Sequence, residues 1–187
     1  MTYTLSLPNQ EIITAFENLI KKWAAKKLGS EDSALNEVTI PLLLGDVALF
    51  STRLQNFLSK HFSFRIMKGR KNHLREGYYH CLMIGILYGM RITQEVVHEK
   101  ESGDGYVDTI IVPKLYQGEQ AIVLEYKYAK TKGSLHAEAA AALQQIEDKK
   151  YIATIVGEKH IKSVLQLGIA FHQKEVEVVH KIIPINT

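Results

Sequence analysis

The chain has 187 residues, 46% of them hydrophobic, and a formal charge of +3. That is enough apolar material for one domain, or one domain with a helical extension, and too little net charge to mark a nucleic-acid binder by totals alone. One cysteine excludes a disulfide framework and fits a reducing cytoplasm, while the eight histidines form no H-x-H, H-E-x-x-H or Cys/His pattern of the kind zinc sites use.

Residues 1–10 lack the basic start and apolar stretch of a secretory signal, and the longest apolar run, 81–90, is too short to span a bilayer. A soluble intracellular chain is expected. Cys81 falls inside that apolar run and is expected to be a buried thiol.

The first predicted helix has Asn9 as cap and Gly29 as stop, with Ile12, Phe16, Leu19, Ile20 and Trp23 at helical spacing. Residues 30–36 read as a polar linker. Pro41 is placed to open a short turn through Leu44, and Gly45-Asp46 then start a clearer helix to about Lys60, carrying Val47, Phe50, Leu54, Phe57 and Leu58 on one face. Residues 1–70 therefore read as a helical region, expected to pack on the remainder of the chain through Trp23 and the Phe50/Phe57 face.

Residues 65–75 hold the densest basic run, Arg65, Lys68, Arg70, Lys71 and Arg75. Such a run is either a solvated connector or a strip of phosphate contacts. A helix over 72–90 then places Glu76, Tyr79, His80, Met83 and Leu87 along one stripe. A carboxylate heading a core-facing stripe either answers the helix dipole or reaches a sheet edge. Next come a strand over 92–99, a glycine-rich bend over 101–105 and two β-branched strands over 105–113 and 121–127, the last two joined by a turn over 114–120 as a hairpin. Lys130, Lys132 and Gly133 form a basic loop before an alanine-rich helix that starts near Ser134, includes Gln145 and continues past Tyr151. Strands over 163–171 and 175–183 close the chain as a hairpin.

Three ionisable residues interrupt the central hairpin. Asp108 lies near the start of its first strand, and Glu125 and Lys127 stand two apart on the second, hence on one face. Burying such charges costs several kcal/mol unless they pair or hold a metal. Two readings are open: a buried Asp–Lys–Glu salt-bridge network, or a phosphodiester-hydrolysing site in which two carboxylates hold Mg²⁺ and the lysine orients water and offsets phosphate charge.

The order helix, strand, strand, strand, helix, strand, with Asp108-x(16)-Glu125-x-Lys127, resembles the PD-(D/E)xK nuclease superfamily. Further segments resemble one branch of it, whose members commonly follow an AAA-type ATPase-like domain. These are Leu5 to Phe16 with its L-P-N-Q-E opening, Glu76-x-x-Tyr79-His80, Glu101-Ser102-Gly103-x-Gly105-x-x-Asp108, and Ala142-Leu143-x-Gln145-Ile146 followed by Tyr151. Two positions depart from the pattern: Val107 stands where the superfamily has Pro, and Tyr106 where the branch has Arg. No Walker-type phosphate loop occurs.

The resemblance implies an α/β, restriction-endonuclease-like mixed sheet flanked by helices over residues 71–187, behind the helical region 1–70. It implies a Mg²⁺- (or Mn²⁺-) dependent deoxyribonuclease, with Asp108, Glu125, Lys127 and Gln145 catalytic and Glu76, Asp108 and Glu125 as metal ligands. DNA is the implied partner, through Lys68, Arg70, Lys71, Lys130 and Lys132, and the branch admits a homodimer and an ATPase partner. The alternative is a catalytically silent nuclease-fold module that binds DNA or a partner protein.

Overall fold

The computed structural model describes residues 32–63, 72–92, 94–102, 105–114, 118–149, 155 and 158–185. The helix expected over 9–29 and the basic residues Lys68, Arg70 and Lys71 lie outside the described residues, as does Tyr151.

Helix α1 spans Asp32–Leu43 and α2 spans Val47–His61. The expected linker over 30–36 is thus corrected: from Asp32 the chain is helical, and Pro41 lies inside α1 instead of opening a turn. Leu35, Val38, Thr39 and Leu42 recur at helical spacing and are all buried, and that apolar face outweighs the one amide hydrogen bond that a proline in the last turn removes. Gly45, at φ 72°, ends the helix in a conformation that costs glycine little. Asp46 then caps α2, its Oδ1 accepting from Leu49 N at 3.0 Å, and Val47, Phe50, Leu54, Phe57 and Leu58 are buried as expected.

Helix α3 covers Asn72–Leu87 and passes into a 3-10 turn, Tyr88–Ile92. Tyr79, His80, Met83 and Leu87 are buried, while Glu76 at the head of their stripe is exposed. Cys81 is exposed, against expectation. It sits two residues from Tyr79, roughly 200° around the helix, and so on the far side from the stripe that meets the core.

Five strands make one mixed sheet in the order β1-β2-β3-β4-β5, namely Gln94–Ser102, Gly105–Pro113, Gln120–Tyr128, Ser163–His172 and Glu175–Pro184. Strand β1 starts and ends later than its sequence pattern suggests. Its ladder with β2 runs to Ser102↔Gly105, so residues 101, 102 and 105 of the expected bend belong to strands. The β2–β3 and β4–β5 pairs are antiparallel, as expected of hairpins, and β3–β4 is parallel. The parallel pair is connected through a 3-10 turn, Lys132–Ser134, and helix α4, Leu135–Asp148. α4 stops short of the expected continuation past Tyr151: Lys149 closes it, donating its N–H to Gln145 O and taking ψ 3°.

The sheet has helices on both faces. Strand β3 alternates, sending Ile122, Leu124, Tyr126 and Tyr128 into a core shared with α1, α2 and α3. Tyr79 anchors that core, stacked on Phe171 with ring centroids 4.5 Å apart at 5°, and its hydroxyl donates to Gln173 O at 2.6 Å. Ala121 and Val123 face the other way, into a core with Ile146 of α4. This is a restriction-endonuclease-like α/β fold with an N-terminal helical region. None of the described helices is long and apolar enough to cross a membrane.

Candidate active site

Between β2 and β3 the ladder is short, pairing Ile111↔Ile122, Ile110↔Val123 and Thr109↔Leu124. One step beyond Thr109↔Leu124 the register brings Asp108 opposite Glu125, and there side chains take over from the backbone. Asp108 Oδ2 accepts from Tyr126 N at 2.7 Å, and Asp108 N reaches Glu125 Oε2 at 3.4 Å. The strands part around two carboxylates.

The flanking helices converge on this opening. Glu76, from α3, accepts from Tyr128 N through Oε2 at 3.2 Å. One turn further on, His80 sets Nε2 3.2 Å from Asp108 O and Nδ1 3.8 Å from Asp108 Oδ1. A carbonyl oxygen only accepts, so the first contact requires Nε2 to carry a proton. On the opposite face, Gln145 of α4 donates Nε2 to Glu125 Oε1 and accepts from Lys127 Nζ at 2.9 Å.

That reach depends on a glycine. In the parallel ladder Gly168 lies beside Glu125, and a Cβ there would come within 2.1 Å of Ala139 O and 2.5 Å of Leu143 N. With no side chain on Gly168, α4 rests directly on β4. Gln145 is thereby lowered onto the acid.

Electrostatics mark the pair. Glu125 is 3% exposed, and burial, compounded by the charge of Asp108, pushes it up to about 8. Lys127 and Lys149 work against that rise. Burial raises Asp108 too, with Glu76 adding to the effect and the Tyr126 N–H, His80 and Lys127 opposing it. Among the described residues no lysine or arginine lies within ion-pair distance of either carboxylate, and Lys127 bonds the Gln145 amide instead. The buried Asp–Lys–Glu salt-bridge network weighed from the sequence is not what these residues build.

No three His, Cys, Asp or Glu side chains among the described residues gather tightly enough to hold a metal by themselves. Asp108 and Glu125 meet; Glu76 is engaged at Tyr128 N. A pair of oxygen donors in need of positive charge suits Mg²⁺, which takes one or two carboxylates and completes its shell with waters and substrate phosphates. Of the basic residues expected to meet nucleic acid, Lys130 is exposed and Lys132 forms an ion pair with Glu175.

Three neighbours of the site stand outside the catalytic, metal-ligand and DNA-contact residues named from the sequence. His80 was visible as the i+4 companion of Glu76, and Lys149 as the i+4 companion of Gln145, both on faces already picked out. Arg75 lay within the basic run. Its Nη1 donates to Tyr128 OH at 2.9 Å.

A mixed sheet that opens around two carboxylates, with a lysine beside them and a glutamine lowered from a helix, defines the class of restriction-endonuclease-like nucleases. A family model of the PD-(D/E)XK nuclease superfamily matches residues 74–181, from α3 into β5, and the chain belongs to that superfamily. No curated protein matches it.

Proposed function

We propose that this protein is a metal-dependent deoxyribonuclease that hydrolyses phosphodiester bonds in DNA. Asp108 and Glu125 would hold Mg²⁺ or Mn²⁺, with Glu76 joining them on release from Tyr128 N, and Lys127 and Gln145 complete the catalytic set. The observation that carries this reading is the facing pair of carboxylates, Glu125 buried and Asp108 half-buried, with no lysine or arginine partner among the described residues and both pushed toward protonation. Two acids in that state favour any dication that can reach them.

When bound, the metal supplies Lewis acidity to the phosphoryl oxygen and to the attacking water. The chain's own part is orientation and charge. Gln145 fixes both Glu125 Oε1 and Lys127 Nζ, so the ammonium is held in place and keeps two of its three donors for water and phosphate. Tyr126 N fixes Asp108 Oδ2 and leaves Oδ1 available. His80 holds the Asp108 backbone.

Lys68, Arg70, Lys71, Lys130 and Lys132 are proposed to contact the DNA backbone. The motifs around Glu76, Glu101 and Gln145 support membership of the branch that follows AAA-type ATPase-like domains, and with it an ATPase partner and a homodimer. The single cysteine supports a cytoplasmic location. A second reading, a silent module that binds without cutting, draws on Tyr106 in place of the branch's Arg.

A plasmid-nicking assay decides between them. Conversion of supercoiled to nicked or linear DNA with Mg²⁺, abolished by EDTA and by Asp108→Ala, is expected. Binding without cleavage under Mg²⁺ and Mn²⁺ overturns the enzyme in favour of the module.

A further inference from the structure

Of the basic run over 65–75, Arg75 is the member among the described residues, and it is not a solvated connector residue. It projects from the first turn of α3, half-exposed, with its guanidinium carbon 5.2 Å from the Tyr128 ring centroid and Nη1 bonded to the Tyr128 hydroxyl at 2.9 Å. Tyr128 is itself buried, stacked between Tyr79 at 6.1 Å and His172 at 6.2 Å, so the platform beneath the guanidinium is rigid.

A clamped arginine ordinarily meets a carboxylate. Among the described residues Arg75 has none within ion-pair distance, and its buried Nε meets no acceptor. The nearest acid in sequence, Glu76, commits Oε2 to Tyr128 N, while Asp108 commits Oδ2 to Tyr126 N. The charge also stands at the start of a helix, where the dipole is already positive and a cation is disfavoured. The remaining Nη donors of a held, uncompensated guanidinium are therefore directed at something outside the chain.

Its position says what that is. Arg75 and Glu76 clasp Tyr128 from two sides, and Tyr128 directly follows Lys127. The guanidinium stands on the α3 face of the sheet beside Glu76, across β3 from the proposed catalytic lysine. A planar fork with several donors recognises phosphate, and its entropy of immobilisation is already spent on Tyr128.

We infer that Arg75, held on Tyr128, binds a backbone phosphate of the nucleic acid beside the scissile one and sets the register of the strand in the site. This rests on the nuclease reading above, and the experiment separates the two. Fluorescence anisotropy in EDTA, where cleavage is blocked, is used to compare the parent, Arg75→Gln, Arg75→Lys and Tyr128→Phe on labelled single- and double-stranded DNA across a salt series.

Arg75→Gln is expected to raise Kd about tenfold and to lower the slope of log K against log salt by about one phosphate contact. Arg75→Lys keeps the slope and loses part of the affinity. Tyr128→Phe, which loses the hydroxyl and keeps the ring, falls between Arg75→Gln and the parent. Melting curves monitor the fold of each variant. A folded Arg75→Gln protein with parental Kd and slope overturns the assignment and leaves the nuclease reading standing. A parent that binds neither DNA, in EDTA or with Mg²⁺, overturns both.

Discussion

Lys127 separates chemistry from architecture at the scale of one side chain. Its ammonium bonds the Gln145 amide and no carboxylate, so Lys127→Ala removes one neutral-partner hydrogen bond and is expected to change stability by about 1 kcal/mol. A buried acid–lysine network would instead lose about 3–5 kcal/mol. Nicking, by contrast, is expected to fall by about a hundredfold or more, because the lost charge acts where negative charge develops. Gln145→Ala is expected to be milder. Paired melting and nicking measurements on both variants check this, and parental nicking in folded Lys127→Ala refutes the catalytic role.

Glu125 gives a pH dependence whose sign is set by its environment. Its ordinary value of 4.5 is raised in the fold to about 8, so the neutral acid is the form that folding favours. Stability from this group is complete below about 4.5 and is lost as pH rises through about 8. Burial lowers His98 to about 4, with Arg91 and His80 adding to the effect, and this acts in the opposite sense only below about 6.5. The window from pH 6.5 to 8 therefore isolates the acids. In EDTA the melting temperature is expected to fall across that window, and Glu125→Gln is expected to flatten the curve.

At the scale of elements, the site depends on how closely α4 lies on β4. Gly168 has no side chain where the α4 backbone passes, and Gly168→Ala would place a carbon 2.1 Å from Ala139 O. Either the helix lifts or the strand shifts. Overpacking of this kind costs about 1–3 kcal/mol, and the displacement draws Gln145 away from Glu125 and Lys127. A lower melting temperature and a nicking loss larger than that of Gln145→Ala are expected together. Normal nicking by a Gly168→Ala protein would show that the close approach is not needed for the site. Tyr126 links the elements from the other face: its hydroxyl donates to Thr109 Oγ1 at 3.0 Å, and Thr109 in turn meets His98 Nδ1 at 3.0 Å, tying β1, β2 and β3 together where the carboxylates open the sheet.

Across the whole molecule, the helical region and the sheet share one core, since Phe50 and Phe57 of α2 lie in the same cluster as Tyr79, Tyr126 and Phe171. The face that meets DNA would be assembled around the end of β3 from the loop leading into α4 and the start of α3. Two lysines in that loop are not equivalent. Lys130 is exposed, whereas Lys132 is paired with Glu175 and would give up that partner to bind phosphate. Lys130→Ala is therefore expected to weaken DNA binding, and to flatten its salt dependence, more than Lys132→Ala does. Anisotropy titrations at several salt concentrations test the order, and the reverse order would place the strand elsewhere.

Much of this architecture was legible in the chain itself. Short apolar, β-branched runs bounded by turn residues mark β2 to β5, and the helical stripe through Tyr79, His80, Met83 and Leu87 marks the core face of α3, because these patterns lie among residues near in sequence. The D-x(16)-E-x-K spacing brought Asp108 and Glu125 into consideration for the same reason, since a hairpin register is fixed by its turn. The start of α1 was hidden by Pro41, whose local penalty is outweighed by packing that only the fold reveals. The exposure of Cys81 was likewise decided by which face of α3 met the core. The sequence allowed Lys127 to pair with the acids or stand apart from them. That choice belongs to Gly168 and Gln145, distant in the chain and adjacent in the fold, and no local pattern encodes how closely a helix lies on a strand.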